Sequence, residues 1–97
     1  MEVKSGYGLT PHDERRMLQA AREAGERVGV DVHLTFLGAH TVPAELRGDR
    51  AAYVRQVIDE QLPAVADLAD DIDVYVDRGA FTAEEGQAIL QAGRDAG

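Results

Sequence analysis

The sequence predicts an α/β fold made of three consecutive βα units with parallel strands. Two observations carry this reading. Apolar residues alternate with polar ones over Val30 to Leu37 and Ile72 to Val76, the period of a strand with one buried face. Capped stretches with helical spacing alternate with these runs, and strands that alternate with helices pair in parallel through right-handed crossovers. The units span about 1–29, 30–71 and 72–97 and form a single domain.

The first unit opens on Glu2-Val3-Lys4, too short for its pattern alone to mark a strand, and turns over Ser5 to Leu9. Thr10 caps a helix with Pro11 at its first position and Asp13 three residues after the cap. Met17, Leu18, Ala21, Ala24 and Val28 form its apolar stripe. Gly25 weakens the helix and Gly29 ends it.

In the second unit Val30, Val32, Leu34 and Phe36 share one strand face, with Asp31, His33 and Thr35 on the other. The loop from Gly38 to Gly48 contains Pro43. Asp49 caps the next helix, whose buried stripe is Tyr53, Val54, Val57, Ile58, Leu62 and Val65. Pro63 falls inside that stripe and predicts a kink or break near Gln61-Leu62.

In the third unit Ile72, Val74 and Val76 alternate with Asp73, Tyr75 and Asp77. Arg78 to Phe81 is the turn. Thr82 with Glu85 makes a capping box, and Ile89 and Leu90 anchor the last helix.

Composition removes several functions. Of the 97 residues, 44% are hydrophobic and 29% charged, ordinary for a globular domain. The absence of cysteine excludes disulfides and Cys-ligated zinc or iron–sulfur sites. A net charge of −8 repels phosphate backbones, so no nucleic-acid role is expected. No apolar run reaches the roughly 20 residues that span a bilayer, and no secretory signal opens the chain. The expectation is a cytoplasmic protein with no membrane partner. A closed barrel of eight βα units takes about 250 residues. Three units are therefore expected to be a piece of a larger barrel, or a fragment that self-associates through its open strand edges.

Side chains at the C-terminal ends of parallel strands are where α/β enzymes place their chemistry. Tyr7, between two glycines past the first strand, offers a phenol that donates and accepts hydrogen bonds. His40, after Gly38-Ala39, can serve as acid/base, ligand or substrate partner. Asp77 and Arg78 lie where they could touch such a site. Ser5-Gly6-Tyr7-Gly8 can also be read as a weak phosphate cradle at a helix N-terminus. The remaining candidates read as structural. His12 sits unfavourably for a cation in a helix's first turn, His33 is expected to pack against a neighbouring layer, and Lys4 is expected to be solvated or ion-paired. His12, His33 and His40 show no metal-ligand spacing.

Glu2 to Leu9, Thr35 to His40 with Val42-Pro43, Tyr53-Val54 through Asp59-Glu60 to Val65, and Val74 to Phe81 together resemble the imidazolonepropionase family. The resemblance covers nearly the whole chain, in order and spacing. It implies an internal stretch, about three βα units, of a metal-dependent amidohydrolase with a TIM (β/α)8 barrel. That enzyme opens the ring of 4-imidazolone-5-propanoate with water to give N-formimino-L-glutamate in histidine degradation. By the same resemblance Tyr7 contacts substrate, and His40 is the catalytic and substrate-binding histidine at the reacting ring. The family uses zinc or iron, and the ligand motifs for it are missing here. Lys4 is also similar to the lysine that bridges two metals in some amidohydrolases, although the ion-paired reading is favoured. Tyr75-Val76-Asp77 stands where the family usually has Phe-Cys-Glu, and Gln61 where it usually has Met.

The resulting expectation is a chain that supplies pocket residues, holds no metal by itself and is inactive alone. Two alternatives remain open: a non-catalytic, self-associating α/β module, and a small binding domain for an acidic metabolite using Tyr7, His40 and Arg78.

Overall fold

The computed structural model describes residues 1–77 and 81–97. Strands β1 (Glu2–Lys4), β2 (His33–Ala39) and β3 (Asp71–Val74) form a parallel sheet in the order β1-β2-β3. Glu2 lies opposite His33, and Lys4 opposite Thr35, which in turn lies opposite Asp71. Phe36 pairs with Ile72 and Ala39 with Val74, so β2 carries one extra residue in that interval, a bulge just before the strand end. β3 is shorter than the alternation predicts. It ends at Val74, and Val76 makes only a single bridge to Phe81 and is exposed.

Helix α1 (Pro11–Val28) starts where Thr10 Oγ1 accepts from the Asp13 amide at 3.2 Å, and ends at Gly29 in the left-handed conformation, φ 72°. Its buried face differs from the predicted stripe. Leu18 is buried, Met17 and Ala21 are partly so, and Ala24 and Val28 face solvent. Gly25 is buried in their place. A Cβ there would meet Val32 Cγ2 at 2.4 Å, so the glycine lets the end of α1 lie directly on the segment leading into β2.

Helix α2 (Arg50–Gln56) is capped by Asp49 and runs into a π turn over Val57–Gln61, then into α3 (Leu62–Val65). The expected disturbance near Gln61-Leu62 thus takes the form of a wide turn. The Pro63 ring would collide with the carbonyl of residue 59 in a regular helix, and a wider turn passes it without a break. Tyr53, Val57, Leu62 and Val65 are buried along this helix, with Val54 and Ile58 at its margin. Helix α4 (Ala83–Ala96) begins with the capping box of Thr82 and Glu85 and anchors Ile89 in the core; Leu90, the other expected anchor, is 45% exposed.

The core lies between the helices and one sheet face. Leu34 and Phe36 of β2 meet Leu18, Tyr53, Val57, Val65, Phe81 and Ile89 there. The opposite sheet face is charged. Glu2, Lys4, His33, Asp71 and Asp73 are all about half exposed. Lys4 Nζ reaches Asp73 Oδ2 at 2.8 Å and so joins the two outer strands, while Thr35 Oγ1 donates to Glu2 Oε2 at 2.9 Å. His33 does not pack against another layer as expected. It is the first residue of β2, on the face turned away from the helices, and pairs there with Asp71. Among the described residues, the outer edges of β1 and β3 have no strand partner.

Candidate functional site

The chain leaves β1 through a turn that is pressed against β2. Ser5 N donates to the Thr35 carbonyl at 3.0 Å. Gly6 follows at φ 112°, where a Cβ would stand 2.4 Å from the Leu37 carbonyl oxygen, so only glycine fits. Leu9 closes the turn at φ 61°, a conformation that costs a side-chain-bearing residue about 1–2 kcal/mol.

The turn is organised by Glu14, from the first turns of α1, which is fully buried. Its Oε1 accepts from Ser5 Oγ at 2.6 Å. Its Oε2 accepts from the amides of Gly6 (3.2 Å), Gly8 (2.9 Å) and Leu9 (3.1 Å). The N–H groups of Gly6, Gly8 and Leu9 do form an anion cradle, but the anion is this carboxylate. The phosphate-cradle reading is therefore corrected: an internal group already takes the donors.

His40 lies just past β2. Its Nδ1 donates to the Gly6 carbonyl at 3.0 Å, since a carbonyl can only accept. The Tyr7 ring stands against it, centroids 5.2 Å apart and planes at 66°. On the other side Tyr75, one residue past β3, meets the same imidazole edge-on at 6.2 Å and 82°. The fold therefore gathers one ring from the C-terminal end of each of three neighbouring strands. Tyr7 is 75% and Tyr75 50% exposed, so both rings are open to a ligand.

Strand-end position singles out Tyr7 and His40 as candidates, but not Tyr75 or Glu14. The alternation puts Tyr75 among the polar residues of the strand, whereas the structure sets it just past the strand end. Glu14 had no local signal, because its partners are set by how the turn folds back on α1.

Of the other candidates, Lys4 and His12 lie apart from this cluster, while Asp77 touches its margin through Tyr75. Lys4 is held by Asp73, whose hydrogen bond and charge raise the lysine's pKa; Lys4 in turn holds the Asp73 carboxyl below its usual range. That is the ion-paired strand lysine. Asp77 approaches the Tyr75 hydroxyl at 3.4 Å. His12 is exposed on α1. Arg78 lies outside the described residues.

Beneath the rings Tyr53 donates to the Gly38 carbonyl at 2.7 Å, and burial pushes its phenol up to about 12. Among the described residues, no group of three or more His, Asp or Glu side chains converges closely enough to hold a metal ion, so these residues do not fit a metal centre. No helix among them is long and apolar enough to cross a membrane.

No protein-family model matches the chain. Individual relatives do. The chain is 48% identical over 99 aligned residues to the imidazolonepropionase of Shewanella woodyi, which takes in all of this chain and 24% of that protein. It is 46% identical over 94 residues to that of Burkholderia cenocepacia, covering 95% of this chain and 23% of that protein. With the Shewanella oneidensis enzyme it shares 46% over 99 residues. The chain spans about a quarter of the length of these curated relatives. By these matches it belongs, along its whole length, with the imidazolonepropionases.

Proposed function

We propose that the chain is a segment of an imidazolonepropionase and forms one wall of its substrate pocket. The reaction is hydrolysis of 4-imidazolone-5-propanoate to N-formimino-L-glutamate. The observation that carries this is the meeting of Tyr7, His40 and Tyr75 at the C-terminal ends of three adjacent parallel strands, the end at which (β/α)8 enzymes act. The rest of the enzyme would complete the barrel beside the two open strand edges.

In this reading each residue has a task set by its chemistry. With Nδ1–H committed to the Gly6 carbonyl, neutral His40 has Nε2 as its acceptor, able to bond a ring N–H or take up a proton as the ring opens. The Tyr7 hydroxyl can donate to or accept from the substrate. Tyr75 flanks His40 on its other side and narrows the space for a flat ring. The zinc or iron implied by the resemblance would be held by residues outside these 97.

The test is a hybrid enzyme in which these residues replace the matching quarter of the Shewanella woodyi relative. The hybrid should turn over 4-imidazolone-5-propanoate, and Tyr7→Phe and His40→Gln should each lower kcat/KM tenfold or more. Wild-type rates in both variants would overturn the proposal. The 97-residue chain alone should show no turnover with zinc or iron added.

The open outer edges of β1 and β3 favour a second property, self-association of the isolated chain. Light scattering should show an oligomer; a monodisperse monomer would remove this reading.

A further inference from the structure

We infer that Glu14 is the positioning residue of this site: its carboxylate sets the Ser5–Leu9 backbone and, through the Gly6 carbonyl, the tautomer of His40. The functional meaning of this rests on the pocket reading above, but the geometry stands apart from it.

A buried carboxylate is costly unless its oxygens are hydrogen-bonded. Glu14 is 0% exposed, and the partners found for it are one hydroxyl and three backbone amides, all from the turn that bears Tyr7. Those amides need an acceptor as much as the carboxylate needs donors, since the turn is pressed against β2 and α1. The left-handed Leu9 is held in place by one of these bonds.

Two routes lead from Glu14 to the rings. The first runs through Ser5. Its hydroxyl has one proton, which goes to Glu14 over a short 2.6 Å bond. The Ser5 oxygen therefore accepts, and it takes the Leu37 amide at 3.0 Å, locking the turn to β2 three residues before His40. The second route runs through the peptides beside Tyr7. The amide after Tyr7, at Gly8, is bonded to Glu14, while the carbonyl before it, at Gly6, receives His40 Nδ1–H. Tyr7 is thus clamped on both sides, by Glu14 and by the histidine it faces. In water the neutral histidine side chain favours the Nε2–H tautomer; here the fixed carbonyl selects the Nδ1–H form and leaves Nε2 as acceptor.

The readout is the His40 tautomer in the 97-residue chain at neutral pH, from imidazole nitrogen shifts in NMR spectra of 15N-labelled protein. Wild type should show the Nδ1–H form in excess. Glu14→Ala should lower the ratio of Nδ1–H to Nε2–H about fivefold or more, the scale of one lost hydrogen bond. Glu14→Gln has one oxygen for three amides and no charge, so it should lower the ratio by an intermediate amount. Leu18→Ala, a core truncation on the same helix, should leave it unchanged.

If Glu14→Ala gives no dispersed spectrum, the Gln variant decides. A wild-type ratio in folded Glu14→Ala or Glu14→Gln overturns the inference. An equal fall in Leu18→Ala overturns it too, because general loosening would then be the cause. Failure of the pocket reading looks different: the tautomer would still depend on Glu14 while Tyr7→Phe and His40→Gln leave the hybrid's kcat/KM untouched.

Discussion

Tyr53 reaches from α2 to the end of β2 and gives its hydroxyl proton to the Gly38 carbonyl at 2.7 Å, two residues before His40. Both groups are buried, so the bond ties the middle helix to the strand end that carries the histidine. Tyr53→Phe keeps the ring and removes the proton. Stability should fall by about 1–2 kcal/mol, because the carbonyl loses a buried donor. Urea unfolding of the two proteins measures this; equal midpoints would deny the bond its weight.

The same burial predicts an alkaline limit. Desolvation raises the Tyr53 phenol from 10.0 to about 12, so the unfolded chain ionises first. Its stabilising contribution is complete below pH 10 and is lost as pH rises toward 12. Unfolding midpoints should therefore drop over that interval in wild type, and drop less in Tyr53→Phe.

Gln61, in the π turn, is fully buried, and among the described residues its Oε1 has no hydrogen-bond partner. Its Nε2 donates to Gln56 Oε1 at 2.9 Å and to Tyr53 at 3.3 Å. An unsatisfied buried acceptor costs more than these bonds return. Gln61→Met, of similar length and apolar, should raise stability by about 1 kcal/mol. A loss in thermal or urea unfolding would show that the amide's donors outweigh its orphaned oxygen.

His33 and Asp71 link β2 and β3 at the edge away from the rings. The hydrogen bond to Asp71 raises the His33 pKa above 6.5. A raised pKa means that the stabilising charge is fully present below pH 6.5 and is lost as pH rises through the folded value. The unfolding midpoint should decline on going from pH 6 to pH 8, and His33→Asn should flatten that decline. An identical slope in the variant would assign the dependence to another group.

Gly6→Ala places a Cβ 2.4 Å from the Leu37 carbonyl at a φ of 112°. A cost of about 2–3 kcal/mol is expected. The strain also displaces the carbonyl that holds His40, so the His40 Nδ1–H signal should weaken along with stability. Unaltered stability would mean that the turn has room the geometry denies.

The caps at Thr10, Asp49 and Thr82, the end of α1 at Gly29 and the disturbance before Pro63 were legible because each is decided within a few residues by local hydrogen bonding or ring sterics. So were two of the three clustered rings, since Tyr7 and His40 follow strand ends within two residues of a glycine. By itself the sequence determined the α/β class, the order of units and the kinship with imidazolonepropionases, and it singled out Tyr7 and His40 as candidates. Tertiary structure alone decided that Gly25 rather than Val28 meets the segment leading into β2, that His33 pairs with Asp71, that β3 stops at Val74 and that Tyr75 joins the rings. It alone brought Glu14 under the Tyr7 turn. The physical reason is common to all of them: each depends on which faces and edges meet after the chain folds back, and neither local spacing nor residue type carries that information.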